Sequence, residues 1–133
     1  AALTADYALE ERAQNLFRAF GGTVKENPAG YTFLLQAYLF AAERTQEVII
    51  VAGEETKEAR EMVKILHHSF LPHTTSHLLT PKNRELIKIA PFLQKYEPAE
   101  GKTLAYVCEH FACHAPVSDS SSLREALGLM VHG

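Results

Sequence analysis

The chain is short of sulfur, short of clustered positive charge and short of long apolar runs, and each shortage removes a class of function. It has two cysteines, two methionines and no tryptophan in 133 residues. Two cysteines cannot build the disulfide framework of a small secreted domain. Lysine and arginine number 13 against 16 acidic residues, a net charge of −3, and they are scattered along the chain. That leaves no electrostatic footprint for a nucleic acid or an anionic membrane surface. Apolar runs such as 48-VIIVAG-53 are far too short to span a bilayer, and no charged-then-apolar leader opens the sequence. The expectation is a soluble cytoplasmic protein with neither nucleic acid nor membrane as partner. The start at Ala1-Ala2-Leu3, without Met, is what a piece of something larger would show.

What is present is enough for a packed core. With 47% hydrophobic and 22% charged residues, the chain has the size and composition of one domain that needs no staples. In 5-ADYALEERAQNLFRAF-20, Leu9, Ala13, Leu16, Phe17 and Phe20 recur at helical spacing, with Glu10, Glu11, Gln14 and Arg18 opposite. Thr4 is the expected N-cap and Gly21-Gly22 the expected stop. A second helix is predicted over 28–43, capped by Asn27 with Pro28 at its first position. It is apolar nearly all round, and one amphipathic neighbour cannot cover it.

The period then changes. The β-branched run 47-EVIIVAG-53 predicts a central strand buried on both faces. A charged-backed helix follows over 54–68, with Ala59, Met62, Val63 and Leu66 inward. A weaker strand is predicted at 75–80, a short helix at 82–90, a third strand at 103–108 and a serine-capped helix at 121–131. Two helices followed by β-α-β-α-β-α predict an α/β fold: a small three-stranded, mostly parallel sheet with flanking helices, preceded by an N-terminal helical hairpin. Residues 1–45 form the hairpin and 46–133 the small α/β module, together one compact domain.

Three places carry candidate chemistry. The strand–Gly53–helix junction resembles the turn where α/β folds bind phosphate, but it has neither G-x-G-x-x-G nor a P-loop lysine. Glu54 and Glu55 would repel a phosphate, so this is at most a weak ligand site. His67, His68, His73 and His77 cluster in 67-HHSFLPHTTSH-77. They lack H-x-x-x-H spacing on one helix, and a surface cluster at a helix end is the expectation.

The third place is 104-LAYVCEHFACHAP-116. On a strand, Leu104, Tyr106 and Cys108 share one face, and Ala105 and Val107 the other. Cys108 and Cys113 are candidates for a redox pair, which would need a reactive thiol. With His110 and His114 they also supply four soft donors, a weak candidate metal set, because Cys-x4-Cys is not the usual zinc knuckle. A buried Cys108 and a half-buried Cys113 acting only as apolar residues is the third alternative. No catalytic residue is assigned: there is no G-x-S-x-G elbow, and acidic pairs such as Glu58 and Glu61 fall on solvated helical faces. No cofactor is expected.

The run 106-YVCEHFACHAPVSD-119 resembles the extreme C-terminus of the YyaL-like family, the thioredoxin-domain-containing group that includes spermatogenesis-associated protein 20. Its family pattern falls here on Tyr106, Val107, Cys108, Cys113, Pro116, Ser118 and Asp119. The segments 27-NPAGYTFLLQAYLFA-41 and 47-EVIIVAG-53, and Phe70-Leu71-Pro72, are similar as well. The resemblance implies a much longer protein, with a thioredoxin-like domain and a helical toroid ahead of this region. It implies that the hairpin is the toroid's last helices, and that the chain is a non-catalytic structural and interaction module. A C-x-x-C motif is absent here. In a full-length relative the toroid covers the greasy second helix; otherwise a homodimer burying Phe33, Leu34, Tyr38 and Phe40 is expected.

Overall fold

Strand β1 (Gln46–Ala52) is the axis on which everything else is hung. Its centre, Val48 to Ala52, is 0–1% exposed, so both faces of the strand are covered. The computed structural model describes residues 3–54, 56–98, 101–109 and 112–129. The elements run α1 (Tyr7–Glu26), α2 (Thr32–Ala42), β1, α3 (Lys57–His68), β2 (Thr74–Leu79), α4 (Leu86–Ile89), β3 (Thr103–Glu109), β4 (Ala112–Cys113) and α5 (Ser120–Ala126). Short 3-10 turns precede α2 and flank α4.

The strands form one four-stranded sheet in the order β2-β1-β3-β4. Only β1 and β2 are parallel; β1–β3 and β3–β4 are antiparallel. This corrects the expected three-stranded, mostly parallel sheet, and the reason lies in the connections. To return to the start of the sheet, a parallel crossover needs an element about as long as a strand. Helix α3, 12 residues or about 18 Å, does this between β1 and β2. The predicted helix at 82–90 does not, because it is broken: residues 81–83 form a 3-10 turn and α4 is a single turn of four residues. Pro81 and Pro91 each stand at the head of a 3-10 turn, and Pro91 ends α4's run. The chain therefore re-enters at the end where β1 and β2 finish, with Thr103 opposite Ala52. β3 must then run the other way. The one strand of the described residues not expected from the sequence, β4, is only two residues long.

Two apolar layers sandwich the sheet. Val48, Ile50, Ala105 and Val107 face Met62 and Ile65 of α3 and Leu123 and Leu127 from the C-terminal region. Ile49, Val51, Leu79 and Cys108 face Ala90, Leu93 and Tyr96 from the α4 connection. The strand alternation of 104–108 is thus as the pleat requires. At the turn after β1, Thr56 caps α3 by accepting from the Ala59 N–H at 3.0 Å, and its hydroxyl meets that of buried Thr103 at 2.7 Å.

The helical hairpin departs from expectation at its ends. Asp6, not Thr4, caps α1, its carboxylate accepting from the N–H groups of Ala8 and Leu9. Gly21-Gly22 does not stop the helix, which continues to Glu26. Glycine lowers helix stability by about 1 kcal/mol relative to alanine without forbidding the helix, and neither glycine adopts positive φ. The predicted 28–43 helix is a 3-10 turn over Pro28–Tyr31 followed by α2. Predicted residues 130–131 of the last helix lie outside the described residues.

Candidate functional site

The cysteines resolve first. Cys108 ends the buried part of β3 and Cys113 stands opposite it in β4, in direct register. Their side chains are joined in a disulfide, with the Cα atoms 3.8 Å apart. The two halves live in different surroundings. Cys108 is 3% exposed, while Cys113 is exposed to solvent.

A single hydroxyl serves both sulfurs. Tyr96, itself 5% exposed, follows the 3-10 turn Pro91–Lys95 and is held by an edge contact with Tyr106 at 4.9 Å between ring centroids. Its Oη lies 3.1 Å from Cys113 Sγ and 3.7 Å from Cys108 Sγ. A disulfide sulfur carries no proton, so the tyrosine O–H is the donor. Tyr96 was not singled out in the sequence. The signal that could have found it is weak: an aromatic in the connection that must cover the Cys108 face.

Glu47 is the register partner of both Cys108 on β3 and Thr75 on β2, so it shares their face of the sheet. Its carboxylate lies 3.6 Å from His77 Nε2, with the His77 side chain 8% exposed. Gln46 donates to Glu109 at 2.8 Å across the same strand pair. Above this end of the sheet the hairpin leaves a groove of about 570 Å³. Phe17 of α1, Phe40 of α2, Glu47, Thr75 and Cys108 are among its lining residues.

The histidines part company. His67 and His68 are exposed in the last turn of α3, where positive charge suits the helix C-terminus. His73 and His77 do not join them as a surface cluster. They are partly buried, and His73 Nδ1 and His77 Nε2 have no hydrogen-bond partner among the described residues. The reason is positional: His77 is on β2's inward face, against the ring of Phe92 at 5.6 Å, and His73 lies beside Phe40 at 6.4 Å.

For the candidate metal set, Cys108 and Cys113 are tied to each other, His114 is exposed and His110 lies outside the described residues. Among the described residues no three His, Cys, Asp or Glu side chains converge. At the Gly53 junction, the Ala59 N–H of α3 already donates to Thr56 Oγ1, and Glu58 of its first turn accepts from the Ser120 N–H at 2.6 Å. Glu61 pairs with Lys64 at 2.8 Å, and that hydrogen bond and charge hold its carboxyl below the usual range. Of the expected interface residues, Phe33 is 85% exposed and Tyr38 51%, while Leu34 and Phe40 are half-buried. Tyr38 packs edge-on to Phe17, tying α2 to α1. Among the described residues no helix is long and apolar enough to cross a membrane.

No family model and no solved structure matches the chain. Curated relatives do. Spermatogenesis-associated protein 20 of Homo sapiens is 28% identical over 114 residues, 84% of this chain and 14% of the relative. The proteins of the same name from Rattus norvegicus and Mus musculus are 25% and 24% identical over the same span. The chain thus spans a small fraction of the length of the relatives it matches, and it is similar to them over 84% of its own length.

Proposed function

We propose that this chain is a non-catalytic structural and interaction module of a larger protein, with the α1–α2 hairpin as its docking element. One observation carries this. Helix α2 is the most apolar helix of the fold, yet neither it nor α1 has a single buried residue. Leu16, Phe33, Tyr38 and Leu39 are each more than half exposed. Apolar side chains in that number on adjoining helices mark a surface that is covered by another one. On the resemblance of residues 106–119, the module's place is the C-terminal end of a cytoplasmic, thioredoxin-domain-containing protein whose toroid helices supply the cover. For the chain by itself the cover is a second copy, through Phe33, Leu34, Tyr38 and Phe40. Sedimentation equilibrium at low micromolar concentration tests it. A dimer that becomes monomeric in the double variant Phe33→Ser, Tyr38→Ser supports the docking surface; a monomeric wild-type chain removes the homodimer.

A second role is favoured by a different observation, the unequal burial of the two bridged cysteines. A bridge that presents one sulfur to solvent and keeps the other inside suits thiol–disulfide exchange. In this reading the Cys108–Cys113 pair is a redox accessory site. Its test is reduction of the native protein by dithiothreitol, followed by mass spectrometry. A gain of about two daltons per chain without unfolding is expected, and a bridge that opens only in denaturant would sink it.

A further inference from the structure

Resting on the exchange reading, we infer that the bridge has a fixed direction of attack: an incoming thiolate takes Cys113 Sγ, Cys108 leaves, and the Tyr96 hydroxyl receives the leaving sulfur. Exchange requires the attacking sulfur to approach in line with the S–S bond from beyond the sulfur it attacks, so access decides which half is electrophilic. Cys113 is exposed on the two-residue edge strand β4. Cys108 is 3% exposed, packed with Ile49, Leu93 and Tyr96 between sheet and connection. Cys108 borders the groove beneath the hairpin, but with only 3% of it exposed an approach to its sulfur from behind meets that packing.

Burial that shields Cys108 from attack also makes it a poor leaving group, because a thiolate released in apolar surroundings is destabilised. Its register neighbour Glu47, a carboxylate, worsens this by like charge. Tyr96 is the compensation. Its O–H lies 3.1 Å from Cys113 Sγ and 3.7 Å from Cys108 Sγ, so it can turn from one sulfur to the other without moving its ring. As the S–S bond breaks and its electron pair passes to Cys108, the hydroxyl donates to the new thiolate. A charge-assisted hydrogen bond of this kind is worth about twice a neutral one.

The steps balance for a dithiol partner. Its first thiolate forms a mixed disulfide with Cys113 and frees Cys108. Its second thiol then attacks that mixed disulfide, leaving the partner oxidised to a disulfide and both cysteines of this chain reduced. The partner class is therefore a dithiol that can present a thiolate at an exposed sheet edge.

The experiment uses the full chain in three variants, each checked for folding by circular dichroism. With oxidised glutathione as probe, Cys108→Ser (Cys113 free) is expected to react at least about tenfold faster than Cys113→Ser (Cys108 free), following exposure. Tyr96→Phe keeps the ring and removes only the hydroxyl. It is expected to slow reduction of the intact bridge by dithiothreitol about tenfold, and to raise the thiol pKa of Cys108 read by thiolate absorbance. A merely structural tyrosine would move melting temperature but not that titration. Equal rates in the two single-cysteine variants overturn the direction of attack, and an unchanged rate in Tyr96→Phe overturns the hydroxyl's role. If Cys113→Ser fails to fold, peptide mapping of the mixed disulfide that the bridged wild-type protein forms with reduced glutathione still decides the direction: an adduct on Cys113 supports it and an adduct on Cys108 overturns it. A wild-type bridge that dithiothreitol cannot open in the native state removes the exchange reading itself, a result distinct from either of these.

Discussion

Strand β1 and helix α2 are both strongly apolar, and they meet opposite fates. Every residue from Val48 to Ala52 is buried, whereas α2 buries none. The difference lies in what is available to cover them. β1 has hydrogen-bonded neighbours on both sides, α3 and α5 on one face, and the α4 connection on the other. α2 has α1, and beneath it a groove. Hydrophobicity sets how much a segment gains by being covered; only the rest of the fold supplies the cover.

The sharpest way to break that contrast is a pair of truncations. Ile49→Ala, at a position 0% exposed, is expected to cost about 2–5 kcal/mol in urea unfolding. Phe33→Ala, at 85% exposed, is expected to stay within about 0.5 kcal/mol in the monomer. Comparable losses at both sites would mean that the hairpin is as well packed as the sheet. Opening the Cys108–Cys113 bridge comes next. The loop it closes spans a sequence separation of 5, so the chain-entropy estimate is only about 2 kcal/mol. Unfolding with and without reductant measures it, and a much larger loss would show that the sheet depends on its edge. Thr56→Ala removes both the α3 cap and the hydroxyl partner of Thr103, for an expected cost of about 1 kcal/mol.

The smallest effect sharpens the picture at the far end of the fold. The Asp119 carboxylate caps α5, and hydrogen bonds from the Ser122 backbone N–H, then the Ser122 hydroxyl, hold its pKa below the usual value of 3.8. Because the folded value is depressed, the stability it gives is complete above the unfolded pKa. It is lost as pH falls through the lower, folded value. In Asp119→Asn that part of the acid dependence should disappear from a melting series between neutral pH and pH 2.

The sequence made the elements more legible than their arrangement. β1, α3 and the 104–108 alternation could be read because each obeys one local period. The direction of β3 could not, since it turns on whether residues 81–102 traverse the sheet, and that is decided by where two prolines interrupt a weak helical pattern. The same holds at the site. Cys108 and Cys113 stood out as the chain's only cysteines, and their pairing was one of several open alternatives. Tyr96 and Glu47 reach them through tertiary register alone, so no spacing rule could have named them. His77 misled for a related reason: a histidine on a strand is taken inward or outward by parity, which composition does not reveal.

The short bridge also has a consequence for how the sheet ends. Beyond β4 the chain continues along the outer side of β3. His114 N–H donates to the Val107 carbonyl at 3.0 Å, and Ala105 and Val117 exchange two backbone bonds of 2.8 and 2.9 Å. This irregular strip occupies the hydrogen-bonding edge of a strand whose sequence, Leu-Ala-Tyr-Val, is of the kind that recruits further strands when left open. Cys113 fastens one end of the strip. The bond between Cys108 and Cys113 is therefore also a clasp that keeps this strip on the edge, so with the bridge open only the backbone hydrogen bonds hold the edge closed.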